Sequence, residues 1–143
     1  MSYVADALAS RLIATGVAQA GATFVDALPE AGDAVLALWD TVGQDLPALG
    51  CHSPVTAGRV QLLVRGAIGD MASTRRRAWQ AYQALGTMAA ITMAVNDEGG
   101  ASVNVSVLAI NFDGPPSLIE RDHTERPLFS ANATVWFSIG VVG

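Results

Sequence analysis

Lysine is absent from this 143-residue chain: all eight basic residues are arginine, set against thirteen aspartates and glutamates for a formal charge of -5. That balance, with a pI near 4.7, excludes a tight, salt-dependent grip on nucleic-acid phosphates, which needs clustered cations. A single cysteine, Cys51, excludes an intramolecular disulfide, so the fold does not depend on an oxidising compartment. Polar residues interrupt every apolar run before the roughly 18 residues of a membrane-spanning helix. The start, Met1-Ser2-Tyr3-Val4-Ala5-Asp6, lacks a positive segment ahead of an apolar stretch, so a soluble protein without a secretion signal is expected. Charged residues make up only 15% and mean hydropathy is +0.37, which excludes disorder.

What remains is a chain that is 51% hydrophobic and long enough for one domain over residues 1–143, burying about two thirds of its unfolded surface. Its surface must carry much Ala, Val and Gly, as in chains that cover part of themselves with further copies. Val4, Leu8, Leu12 and Ile13 recur at helical spacing, predicting a first helix to Thr15 with Gly16 as its stop. Thr23–Val25 reads as a short strand, residues 28–33 as a turn around Pro29 and Gly32, and 34–40 as a strand apolar enough for burial on both faces or a subunit contact. The Gly- and Pro-broken stretch 41–57 reads as a loop. Residues 59–65 alternate with Val60, Leu62 and Val64 on one face, and Asp70 caps a second helix running to Leu85, with Met71, Ala78, Tyr82 and Leu85 inward. Strands at 90–95 and 103–112 flank a turn, and 129–139 alternates cleanly, pairing with 103–112. The polar, proline-bearing connection 113–126 is longer than a hairpin requires, a length associated with function or with ordering by a partner. Two helices and five or six clustered strands predict an α+β domain, a mostly antiparallel, mixed sheet with both helices on one face.

No constellation supports catalysis. Residues 120–126 gather Glu120, Asp122, His123 and Glu125, but neither a helix nor a cysteine pair brings them together as metal ligands, and locally paired surface charge is the simpler reading. Cys51 and His52 are adjacent, and catalytic pairs usually come from separate elements. There is no Gly-x-Ser-x-Gly elbow. Residues 66–69 join a strand to a helix without a phosphate-loop motif, and Asp70 would repel an anion there. The sequons at Asn104 and Asn132 lie inside predicted strands. Arg75, Arg76 and Arg77 on the second helix suit a solvated face or a subunit contact.

Several stretches carry a resemblance. Leu28-Pro29-Glu30-Ala31-Gly32-Asp33, followed by the buried strand to Trp39, looks like the proline turn and strand of the tail terminator (tail-completion, "minor capsid") proteins of long-tailed bacteriophages. Residues 59–66 are similar to that family's "RVQVRVRG" strand, and the helix with Arg75, Ala78 and Tyr82-Gln83-Ala84-Leu85 to its "A...IYDAL" helix. Residues 120–132 resemble "GRDENGRPEFSVNF", with His123-Thr124-Glu125 in place of its Asn-Gly turn. The likeness extends over most of 3–139.

The resemblance implies a non-enzymatic virion protein of the tail or neck, assembled in the host cytoplasm, without cofactor, metal or membrane. It would form a homo-oligomeric ring, commonly a hexamer, that caps the tail tube protein, stops its polymerisation and offers a surface to the head-completion (connector) protein. Genome DNA would pass through its lumen without specific binding, as the acidic balance allows. Arg121, Asp122 and Arg126 in the 113–126 connection are the expected inter-subunit or tube-facing ion-pair formers, with Arg75 and Arg76 secondary. The alternatives are another neck or head-completion component, or a ligand-binding module using Cys51, His52 and the 43–58 loop.

Overall fold

Apolar residues three and four apart build the first element. In the computed structural model, which describes residues 3–44, 55–88, 90–96, 100, 102–121 and 125–141, helix α1 (Tyr3–Ala14) buries Val4, Ala5, Leu8 and Leu12. Gly16, at φ 79°, turns the chain out of it. Strands β1 (Thr23–Val25), β2 (Val35–Gln44) and β3 (Thr56–Arg65) follow, then helix α2 (Met71–Gly86). The chain ends in β4 (Ile91–Asn96), β5 (Ser102–Phe112), β6 (Ser117–Arg121) and β7 (Pro127–Val141). Asp70 caps α2 as expected, its Oδ1 accepting from the Ser73 amide at 3.4 Å.

The sheet runs β1-β2-β3-β7-β5-β4, with β1 parallel to β2 and every other pairing antiparallel. Both helices cover one face, as the periodicity predicts. Val60, Leu62 and Val64 of β3 and Phe129, Ala131 and Val135 of β7 point into the core with the helices' buried stripes. Leu8, Leu12, Leu38, Leu62 and Leu85 are fully buried, each contributing about 1.5–3 kcal/mol relative to exposure. On α2 the buried positions are Thr74, Ala78, Ala81 and Leu85, while Met71 and Tyr82, expected inward, sit half-buried beside them. The opposite sheet face carries a smaller cluster of Ala37, Leu63 and Leu128 with Phe24, Leu28 and Trp39. Residues 35–38 are thus buried on both faces, as their unbroken apolarity indicates.

Two predicted loops are partly strand. The stretch 41–57 gives its first four residues to β2 and Thr56 and Ala57 to β3, with Gly43 opposite Gly58: backbone pairing to a neighbour outweighs poor local propensity. The 113–126 connection contains β6, which pairs antiparallel with β7. β7 is long enough to pair with β5 over 133–141 and with β6 over 127–130 along one edge. Glu125, next to that turn, takes φ 64°, the left-handed conformation that glycine adopts at no steric cost.

At the level of Phe129 the strands stand in a row of five, β1-β2-β3-β7-β6, in which Thr23 aligns with Leu36, Leu36 with Val64, Val64 with Phe129, and Phe129 with Leu118. The row ends at one side in β1 and at the other in β6.

Candidate assembly surface

The eight arginines divide by what they touch. Arg65 and Arg126, 3% and 6% exposed, both reach the turn between β1 and β2. Arg65 Nη2 donates to the Gly32 carbonyl at 2.7 Å, and Arg126 Nη1 donates to the carbonyls of Glu30 at 2.8 Å and Gly32 at 3.1 Å. Asp33 lies 3.8 Å from Arg126. Arg77 Nη2 donates to the Arg65 carbonyl at 2.9 Å, and its partial burial lowers its pKa from the ordinary arginine value. Three guanidiniums thus tie the proline turn, the end of β3 and α2 together inside one subunit. On the outer sheet face Arg59 makes a two-pronged contact with Asp113 and also donates to Thr134 Oγ1 at 2.8 Å. The guanidinium hydrogen bond holds the Asp113 carboxyl below the usual carboxylate range.

Arg75 and Arg76 remain on the exposed side of α2. The Arg75 guanidinium stands 5.7 Å from the centre of the Phe129 ring. One turn further, Trp79 meets Tyr82 edge-on at 5.4 Å, and Tyr82 meets Phe112 of β5 at 4.8 Å. Trp79 is nevertheless 39% exposed, and Leu118 and Ile119 of β6 are 43% and 49% exposed. Exposed apolar side chains and Arg75 therefore border the β6 end of the row.

The β1 end is different. Asp26, at φ 57°, and Asp40 are exposed there, and Asp26 Oδ1 accepts the Asp40 amide at 3.3 Å. Asp6 of α1 is close enough to feel Asp26: burial first, and the Asp26 charge second, raise its pKa above 3.8. A carboxyl whose folded pKa is raised costs no stability below about pH 3.8 and increasingly destabilises as pH rises through its folded pKa. Asp26→Asn keeps the Oδ1 acceptor and suits the left-handed backbone, so it should stabilise the protein at pH 7 by about 0.3–0.5 kcal/mol, a screened, half-exposed effect. The gain should shrink to nothing near pH 3 in urea titrations; an equal gain at both pH values would assign it to the backbone instead.

The sequence-predicted residues are scattered by this arrangement. Arg126 faces the interior turn, where it is bonded within its own chain. Arg75 and Arg76 lie together on α2. Arg121 ends β6, its backbone opposite Pro127, and Asp122 lies outside the described residues. Cys51, His52 and His123 also lie outside them. Among the described residues no group of His, Cys, Asp and Glu converges as metal ligands, and no helix is long and apolar enough to cross a membrane. The cleft beside Arg77, lined by Val17, Ala18, Leu36 and Val64, measures about 180 Å³, below the roughly 300–1,000 Å³ of ligand pockets. The acidic β1 edge and the exposed Leu118 and Ile119 were not singled out from sequence. Only pairing across the chain brings Asp6, Asp26 and Asp40 to one place, whereas the apolar Leu118-Ile119 pair inside a polar stretch was a readable signal.

An α+β sheet protein whose described strands leave β1, β4 and β6 as edges is the kind of chain that assembles with other chains. The sequence profile of the bacteriophage tail terminator protein family matches residues 11–139, and the chain belongs to that family. It is accordingly a structural component of a phage tail, a virion protein that meets other tail components. No curated protein sequence matches the chain.

Proposed function

We propose that this protein terminates the tail by forming a closed ring, commonly of six subunits, on the last layer of the tail tube. The ring stops tube polymerisation, presents its other side to the head-completion protein, and leaves a lumen for the genome. Family membership over residues 11–139 is the observation that carries this reading. The sheet supports it: a row open at both ends, with unlike edges, suits head-to-tail rings better than self-complementary pairs. A net charge of -5 keeps DNA phosphates from adhering during passage. Assembly takes place in the host cytoplasm, and chemistry is not part of the role.

Adding the purified protein to polymerising tube protein should shorten the tubes in proportion to the ratio added. Negative-stain images should show annular caps at one tube end. Tubes of unchanged length with no cap, at equimolar subunits, would rule the reading out.

A further inference from the structure

We infer that the subunits join head to tail through the two ends of the five-strand row, the β6 edge of one copy meeting the β1 edge of the next. This rests on the ring reading above and adds to it which surfaces touch.

Three observations carry it. The first is topological. β1 and β6 are the outermost strands at the same level of the sheet, so a neighbour added to one edge continues the row and leaves the equivalent edge of the new copy open, as a heterologous ring requires. An uncovered strand edge is also a liability that folded proteins cover.

The second is charge. Residues 1–58 hold six carboxylates and one arginine, whereas residues 59–143 hold seven of each, so the whole net charge of -5 belongs to the half that builds α1, β1 and β2. Asp6, Asp26 and Asp40 lie at the β1 end, while Arg75 of α2 stands over Phe129, the β7 residue paired with Leu118 of β6. Two β1 edges facing one another would bring these carboxylates together, which disfavours a symmetric pair. Arginine against carboxylate favours the head-to-tail order.

The third is apolar exposure. Trp79, one turn from Arg75 on α2, and Leu118, the cross-strand neighbour of the Phe129 over which Arg75 stands, are each about two-fifths exposed. A rim of charge around an apolar centre is the ordinary anatomy of an interface.

The test exchanges the charges. Arg75→Glu sets a carboxylate against the neighbour's acidic edge, and Asp40→Arg sets a guanidinium against the neighbour's Arg75, so each variant alone should associate at least tenfold more weakly than the unaltered protein by light scattering. Both positions are exposed, and circular dichroism with thermal melts should show both variants folded. Mixed in equal amounts, they should recover the mass of the unaltered assembly, because alternating subunits restore opposite charges at every junction. A general loss of stability gives no such rescue, and a symmetric interface, which sets like charges together already in the unaltered protein, would not be weakened by either exchange alone. If the unaltered protein assembles and both variants do so equally well, or if the mixture stays dissociated, the edge pairing is wrong while the ring survives. If the unaltered protein forms no oligomer alone or on tubes, both inferences fall together.

Discussion

Gly66→Ala should destabilise the protein by roughly 3 kcal/mol, at or beyond the upper end of ordinary overpacking. A Cβ at this position would overlap Thr74 Oγ1 outright and come 2.8 Å from its Cβ. Thr74 has no room to retreat: it is fully buried on the first turn of α2, and its hydroxyl donates to the Asp70 carbonyl. The Gly66 amide is itself fixed, donating to the Pro127 carbonyl at 3.1 Å, so the backbone cannot move away without breaking the β3–β7 junction. Chemical denaturation should show a lowered midpoint with an unchanged slope. Thr74→Ala added to Gly66→Ala should recover part of the loss, since it removes the overlapping oxygen but leaves the two Cβ atoms crowded. An alanine at 66 with wild-type stability would mean that α2 does not pack where it is described.

Gly66 illustrates what a sequence conceals. Its place between a strand and a capped helix was legible, from the alternation of Val60, Leu62 and Val64 on one side and Asp70 on the other. Nothing local marks it as a point of close approach, because the crowding residue is recognised only once α2 is laid against β3. The elements with strong periodicity, α1, α2 and β7, were readable because one face of each meets the core at fixed intervals. Where the backbone's partner lies far along the chain, the same reading stops short. β2 and β3 continue through Gly43 and Gly58 because each supplies the other's hydrogen bonds. β6 forms in a polar stretch because β7 extends beyond β5 and offers free amides and carbonyls. The candidate surface follows the same logic: Arg75 and Arg76 could be placed on one helix, but the acidic edge is assembled from α1, the turn after β1, and β2.

Arg126 is the sharpest case, because the structure gives it bonds within its own chain that its neighbourhood does not suggest. In sequence it belongs to a run of alternating charges, Glu120-Arg121-Asp122-His123-Thr124-Glu125-Arg126, where a solvated or inter-subunit role is the natural expectation. In the fold it is 6% exposed and reaches back 96 residues to the Glu30 carbonyl. Beside it, Arg65 donates to the same Gly32 carbonyl that Arg126 uses. The proline turn is therefore held by buried guanidiniums, and its carbonyls would lose charge-assisted partners. Arg126→Glu places a carboxylate among those carbonyls and should cost about 3–5 kcal/mol, the scale of breaking a buried charged contact. The loss should appear in the monomer, as a lowered denaturation midpoint measured below the concentration at which subunits associate. Arg126→Met, which keeps the packed stem without the charge, should cost about half as much, since the carbonyls go unbonded but no like-signed group is added. Arg76→Glu, in contrast, should leave the monomer's midpoint within about 0.5 kcal/mol of the original, as expected for an exposed helix position. A variant at Arg126 that melts normally yet fails only in assembly would return this residue to the subunit boundary and take the turn's anchor away from it.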